Sequence, residues 1–365
     1  MTNSFYNMFD APSGVVDTHA VNRLFEGFKI KATCVGAESH RHFVYYDVEL
    51  EPGTRISRIS RYREELALAM KAKTSLIVKS IPSKGIVRLQ TTHAVAEKLK
   101  FEDLYRQSTA PSDFVLPFLF GETDEGVPMW VDITKMPHLL VAGATGSGKS
   151  GFLQMLIANS AKRNDTKLFL IDTKRVEFNI YRDPVFETLV RKVDNDFESA
   201  MDTLMFLNNI MVERYKYMAS VGIQSMEDDP IFDKIVLIID EAADLMLFDR
   251  TKSFEKQIAK LAQLARAAGI YMVFATQRPD VSVVTGLIKA NFPARLACKV
   301  TSKVDSKVVL DRMGAEALAG RGDALFTSPV NDLQRLQVAY IEPEETLYNY
   351  KLKSTGNSLY GRKYI

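Results

Sequence analysis

Apolar and polar positions change their rhythm about one third of the way along the chain. In the first part they alternate: Phe28, Ile30, Ala32 and Cys34, then FVYYDVEL over residues 43–50. Period-two alternation predicts strands with one buried face. Pro52 and Gly53 end the second strand. Residues 62–71 (YREELALAMK) combine good helix formers with apolar residues at helical spacing. Residues 76–80 and 86–89 predict two further short strands, parted by Pro82 and Gly85. Residues 1 to about 18 are polar and mixed, with Pro12 and Gly14, and residues 1–27 are expected to form an N-terminal arm or loose cap. Residues 28–110 then make a small α+β module with no catalytic constellation of its own.

Past a polar, proline-containing break at residues 108–113, strands and helices alternate. Residues 139–142 (LLVA), 167–172 (KLFLID), 235–240 (IVLIID) and 271–276 (YMVFAT) are apolar at nearly every position. Helical patterns lie at 197–218 and 253–268, and residues 296–300 and 336–341 are further strand candidates. Uninterrupted apolar strands between helices predict a mainly parallel sheet covered on both faces, an α/β domain over residues 111–341. Ligands of such a sheet sit at the carboxyl ends of its strands, where Asp172, Asp240 and Gln277 fall. Residues 342–365 carry basic residues and four tyrosines without periodicity, and read as a flexible or peripherally docked tail.

Composition narrows this picture only slightly. The 365 residues are 46% hydrophobic and 25% charged, as in a globular protein with a sizeable core. A net charge of +2 means that any nucleic-acid surface must come from local arrangement. Two cysteines, Cys34 and Cys298, exclude a disulfide framework and a cysteine metal cluster. His19, His40, His42 and His93 have no metal-site spacing. No apolar run approaches the ~20 residues of a membrane helix. The N-terminus also lacks the order of a signal peptide. The expectation is a cytoplasmic protein with no membrane anchor.

Chemistry enters at residues 137–152, PHLLVAGATGSGKSGF. Gly143, Ala144, Thr145, Gly146, Ser147, Gly148, Lys149 and Ser150 fit the phosphate-loop pattern G-x-x-x-x-G-K-[ST], with Gly151 following, between an apolar strand and a helical pattern. The glycines let backbone N–H groups aim at phosphate oxygens, and the helix adds its N-terminal dipole. Lys149 is expected to reach the β- and γ-phosphates and the Ser150 hydroxyl to ligate magnesium, so ATP and Mg2+ are the expected cofactors. Asp240 and Glu241 end an apolar strand in the same fold. Asp240 suits the magnesium shell, and Glu241 suits orienting and deprotonating an attacking water. Gln277, after YMVFAT, is placed to sense the γ-phosphate. Arg278, Lys289, Arg295, Lys303 and Lys307 crowd one short stretch, either a solvated basic face or a grip on nucleic-acid phosphates.

HLLVAGATGSGKS, DEAADLM, LARAAGI, FATQRP, TGLIKANFPARLA and VTSKVDSKVVLD, in this order, resemble the motor of the FtsK/SpoIIIE family of DNA translocases. FKIKATCV, DVELEPGTRISRIS and SLIVKSIPSKGIVRLQ resemble the family's α subdomain, and MPHLLVAG joins it to the β subdomain. The resemblance runs over residues 28–341. It implies a RecA-like P-loop ATPase domain behind a small α+β subdomain, acting as a homo-hexameric ring that threads double-stranded DNA through its pore. It places Arg278, Lys289, Lys303 and Lys307 on DNA-contacting loops. Arg266 would be the arginine supplied in trans to a neighbouring nucleotide, with Arg295 the other candidate. The expectation is that the family's membrane anchor, long linker and winged-helix domain are missing from this chain, and Asp280 stands where the resemblance leads one to expect a serine. A bare motor of this kind suits a virus, plasmid or mobile element. The alternatives are a viral DNA-packaging ATPase of the same fold, a protein-translocating secretion ATPase, and a nucleotide-switched binding protein that moves nothing.

Overall fold

A computed structural model describes residues 18–70, 72, 76–92, 98–227, 229 and 231–356. The first 17 residues of the expected arm and the last nine of the expected tail lie outside the described residues. Backbone packing separates two compact units. The smaller takes in the chain up to residue 98, with 122–127 and 317–319, and the larger takes the remainder.

In the smaller unit, α1 (Thr18–Gly27) precedes β1 (Ala32–Ser39) and β2 (Phe43–Leu50). Then come α2 (Ile56–Arg61), α3 (Arg63–Ala69), β3 (Ile77–Ile81) and β4 (Ile86–Thr92). The strands pair antiparallel in the order β1-β2-β4-β3. Residues 18–27 of the expected arm are helical: α1 buries Val21 and Phe25 against Val48, Leu66 and Leu89. The alternation that starts at Phe28 becomes strand only at Ala32. Phe28 and Ile30 bond back to Leu24 and Phe25, and Lys29 sits at φ 52°, so this stretch closes the helix. Such a closure mimics period-two patterning, because the reversing backbone also turns alternate side chains inward.

The larger unit begins at Leu99, ahead of the break at 108–113, because Phe101 and Leu104 of α4 (Phe101–Gln107) belong to its core. It continues with β5 (Pro117–Thr123), β6 (Pro128–Asp132), β7 (His138–Ala142), α5 (Lys149–Ala161), β8 (Thr166–Ile171), β9 (Val190–Asp194), α6 (Phe197–Val221) and β10 (Lys234–Ile239). Then come α7 (Ala242–Phe248), α8 (Ser253–Leu264), β11 (Ile270–Thr276), α9 (Gly286–Asn291), β12 (Ala294–Cys298), α10 (Lys303–Leu310), β13 (Asp323–Ser328), β14 (Asn331–Val338) and α11 (Pro343–Gly356). One ten-stranded sheet runs β6-β5-β14-β13-β12-β7-β11-β10-β8-β9. From β12 to β9 the strands are parallel, while β13 and β14 add an antiparallel hairpin. This is the RecA-like α/β arrangement, and its central strand β7 delivers the phosphate loop.

Helix α5 is buried on nearly every face, which fixes what its first turn presents. Phe152 meets Phe120 edge-on at 5.0 Å between ring centres, and Phe152, Leu153, Leu156 and Ile157 are all closed to solvent. Each such side chain contributes about 1.5–3 kcal/mol. The Asn159 amide exchanges hydrogen bonds with the Leu119 backbone at 2.8 and 3.0 Å, pinning α5 to β5. The tail begins as α11. Its Thr346 is buried, its Leu347 and Tyr350 pack on the core, and Asn349 donates to Glu102 at 2.8 Å.

Candidate active site

The loop from β7 to α5 turns through left-handed backbone at Gly146 (φ 73°) and Gly148 (φ 111°), conformations that a Cβ disfavours. Gly143 is needed for a different reason: a Cβ there would come within 2.4 Å of Ser147 Oγ and 2.8 Å of Cys298 Cβ. Lys149 opens α5, so its neighbours' free N–H groups and the helix dipole converge on the loop. Carbonyls of the loop are tied down elsewhere, with Ser147 O accepting from Gly322 N at 2.9 Å. Cys298, packed beneath Gly143, is an inert thiol: burial pushes it up to about 12.

Lys149 is buried, and its ammonium donates to Asp240 Oδ1 at 2.6 Å and to the Asp240 carbonyl at 2.7 Å. Burial pushes the Asp240 carboxyl above the usual aspartate range, and the Lys149 charge opposes that shift. Ser150 Oγ donates to Glu177 Oε1 at 2.6 Å, while Gln154 holds the Glu177 carbonyl at 2.9 Å. Asp240 Oδ2 and Asp172 Oδ1 are buried with no hydrogen-bond partner among the described residues. Hard oxygen donors with spare lone pairs beside the Ser150 hydroxyl fit a magnesium ion and its waters.

Glu241 caps α7 and is held from several sides. Its carboxylate accepts from Thr276 Oγ1 at 2.7 Å, from Gln277 N at 3.0 Å and from Lys174 Nζ at 3.3 Å. Gln277 Oε1 accepts from Thr145 Oγ1 at 3.0 Å, across 132 residues of sequence. Lys149, Asp240, Glu241 and Gln277 are thus gathered at one end of the parallel sheet, joined through the phosphate loop. Thr276, Lys174 and Glu177 complete the same site and were absent from the sequence-based set. Their sequence signal is weak: Thr276 closes β11, while Lys174 and Glu177 lie in the loop three and six residues past the end of β8.

Arg266 is placed differently. It follows α8 and precedes β11, so the seven residues of β11, a span of about 20 Å, separate it from Gln277. Its charge reaches His138, the first residue of β7, whose imidazole is pushed down to about 3, chiefly by burial. Its guanidinium is 56% exposed and lies 3.6 Å from Glu227. Arg295 is committed elsewhere: together with Lys289 it pairs with Asp311. Arg278 is exposed, and Lys303 and Lys307 are exposed one turn apart on α10. Asp280, the acid in place of serine, accepts from the Ser282 hydroxyl and from Ser282 N at 2.8 Å, closing its own turn. These hydrogen bonds, the hydroxyl's first, hold its carboxyl below the usual range.

A family model described as the FtsK/SpoIIIE family matches residues 102–234 and 227–281, and one described as the FtsK alpha domain matches residues 12–91. The DNA translocase FtsK of Haemophilus influenzae is 34% identical over 378 residues, covering 92% of this chain and 70% of that protein. The chain belongs to the FtsK/SpoIIIE family. A second FtsK/SpoIIIE relative, the DNA translocase FtsK of Streptococcus pneumoniae, is 38% identical over 341 residues, 88% of this chain but 44% of its own length. This chain therefore spans less than half of that relative. Among solved structures, the pCW3 conjugation coupling protein TcpA, in a monomer form with ATPγS, superposes with a TM-score of 0.63 at 24% identity. That match covers 92% of this chain and 99% of TcpA. The cytoplasmic domain of the Thermomonospora curvata type VII secretion ATPase EccC gives 0.58 at 22% identity, over 68% and 32%. These likenesses concern the fold, a P-loop ATPase core that the FtsK/SpoIIIE family shares. Among the described residues, no helix is long and apolar enough to cross a membrane.

Proposed function

We propose that this chain is an ATP hydrolase that moves double-stranded DNA, working in the cytoplasm as a homo-hexameric ring. The observation that carries the hydrolytic reading is the convergence of Lys149, Asp240, Glu241 and Gln277 on one phosphate loop. The N–H groups of Gly143, Ala144 and Ser147 donate to the carbonyls of Thr276, Lys299 and Ala144. The other N–H groups of the loop and of the first turn of α5 therefore cradle the phosphates, and Lys149 exchanges Asp240 for the β- and γ-phosphate charge. Ser150 and Asp240 would hold magnesium, which would supply charge neutralisation at the phosphate oxygens. Glu241, kept in place by Thr276 and Gln277 N–H, orients and deprotonates the attacking water. Gln277 links the γ-phosphate position to β11. Hydrolysis of this kind rests on positioning and charge rather than on covalent catalysis.

Arg266 lies too far from its own phosphate loop to act there, which supports its service to a neighbouring subunit in a ring. A guanidinium suits that role because it stabilises charge that builds on the γ-phosphate in the transition state. Arg278, Lys289, Lys303 and Lys307 take duplex phosphates without reading sequence. DNA translocation is supported by the FtsK relatives, which are named as DNA translocases. The deciding experiment is ATP turnover with and without duplex DNA. Marked stimulation by duplexes of unrelated sequence is expected. Turnover that ignores DNA would instead favour a protein-translocating ATPase or a nucleotide-switched binding protein.

A further inference from the structure

The turn that leads into β13 reads Gly320-Arg321-Gly322, and all three residues have positive φ, at 82°, 54° and 93°. Glycine adopts that backbone freely, but an arginine is disfavoured there by its Cβ. A third glycine would suit the turn better. Strained non-glycine residues persist where the surroundings over-determine them, and they gather at ligand clamps. The surroundings here are tight. Gly322 N donates to Ser147 O at 2.9 Å, and Arg321 N to Gly146 O at 3.4 Å, both carbonyls of the phosphate loop. A Cβ on Gly148 would lie 2.3 Å from Gly322 N. On the other side Gln337 Nε2 donates to Arg321 O at 2.9 Å, and Val338 N to Gly322 O at 2.8 Å. Immediately beyond, Asp323 and Arg335 form a fully buried two-point pair at 2.9 and 2.7 Å that fixes β13 to β14.

The backbone of Arg321 is therefore clamped between β14 and the phosphate loop, while its side chain is exposed. The guanidinium has no hydrogen-bond, ion-pair or aromatic partner among the described residues. Sheet order says which part of a nucleotide it would meet. Asp240, Glu241 and Gln277 end β10 and β11, on one side of β7, and mark the γ-phosphate end. Arg321 precedes β13, on the other side, beyond β12. A nucleotide whose γ-phosphate points to β11 extends its ribose and base towards β12 and β13.

We propose that Arg321 is a nucleotide-binding residue that holds the ribose–base end of the bound nucleoside triphosphate, its guanidinium set against the purine. The assignment rests on the reading that this phosphate loop binds nucleotide. Arg321 contributes affinity for ATP and ADP alike, because both share that end, and leaves the hydrolytic groups undisturbed. Planar guanidinium on an aromatic face is a favourable cation–π geometry.

The test is Arg321→Gly, which keeps the turn and removes only the side chain. Thermal unfolding of the ligand-free variant should match or exceed that of the wild type, since the disfavoured backbone is relieved. Dissociation constants for ATP and ADP should each rise about 5- to 30-fold, as expected for one lost cation–π contact. The constant for inorganic tripolyphosphate should stay within about twofold, as it lacks the group that Arg321 holds. Unchanged ATP and ADP affinities beside normal wild-type binding would sink this proposal alone. Equal weakening for tripolyphosphate would overturn the base-end assignment. A wild-type chain that bound no nucleotide would sink the phosphate-loop reading, and this one with it.

Discussion

Lys149 and the pair Lys303 and Lys307 are cations of one unit, held in opposite ways. Lys149 is 3% exposed and already paired, with Asp240 at 2.6 Å. Lys303 and Lys307 stand in water one helical turn apart on α10. A buried ammonium would be costly unpaired, and the Asp240 carboxylate is the partner that offsets this. On the proposed function, phosphate entering there would exchange one strong interaction for another in a place that excludes water. Cations in water need no partner, are screened by salt and grip any phosphate that passes. Lys289 and Arg295 fall between the extremes, sharing Asp311. On the proposed function, burial goes with the cation whose geometry the chemistry needs, and exposure goes with a sequence-blind grip on DNA.

The strongest way to break this comparison is to remove the buried cation. Lys149→Ala is expected to lower ATP turnover by at least about 10²–10³-fold, the effect of losing one preorganised electrostatic group. It also strips the Asp240 carboxyl of its opposing charge, so burial raises that group further. An acid whose folded pKa lies above its unfolded value stabilises the protein at low pH and loses that contribution as pH rises through the folded value. Chemical denaturation should therefore show the variant losing more stability than the wild type as pH climbs from about 4 to 7. Equal pH profiles would show that Lys149 does not govern Asp240.

Glu241→Gln should keep nucleotide affinity while single-turnover hydrolysis slows about 10²–10⁴-fold, as the amide preserves shape and loses the base. Near-normal turnover would remove Glu241 from its role. Arg266→Ala is expected to cost about 10³-fold in turnover, with ATP binding intact. Mixing its subunits with Lys149→Ala subunits should recover part of the activity, since each supplies what the other lacks. No recovery, with subunit exchange verified, would leave Arg266 without a part in the neighbour's site.

The exposed cations should give the smallest single effects. Replacing Arg278, Lys303 or Lys307 by Ala should lower the slope of log affinity against log salt by about 0.9 each, equally for all duplex sequences. Lys289→Ala should do less, because Asp311 already claims that charge. If all four are replaced and duplex affinity does not change, the DNA surface lies elsewhere.

Legibility in the sequence followed the range of the interactions concerned. The phosphate loop, the apolar strands around it and the acids at their ends were readable because each is a local pattern, set by backbone conformation and burial of consecutive residues. Strands β5, β6, β9 and β13 were not, as polar residues interrupt or bound them and their inward faces depend on neighbours far along the chain. Helix α11 escaped for the same reason: nothing in its own spacing shows that Thr346 and Tyr350 dock on the core. The expected arm hid α1 because Val21 and Phe25 are too few to make a periodic signal until the sheet they cover exists.

The sequence by itself determined the class of chemistry: a strand, a glycine loop and a lysine at the head of a helix, with an acidic pair closing another buried strand. Only the tertiary structure decided which groups share the site. The order β12-β7-β11-β10-β8 sets Thr276 and Lys174 on Glu241, Glu177 on Ser150, and Gln277 on Thr145. It also puts Arg266 at the far end of β11 and presses the Gly320-Arg321-Gly322 turn onto the phosphate loop. The physical reason is that a strand's residues specify its faces and its ends, whereas its neighbours are chosen by how all the apolar faces pack at once.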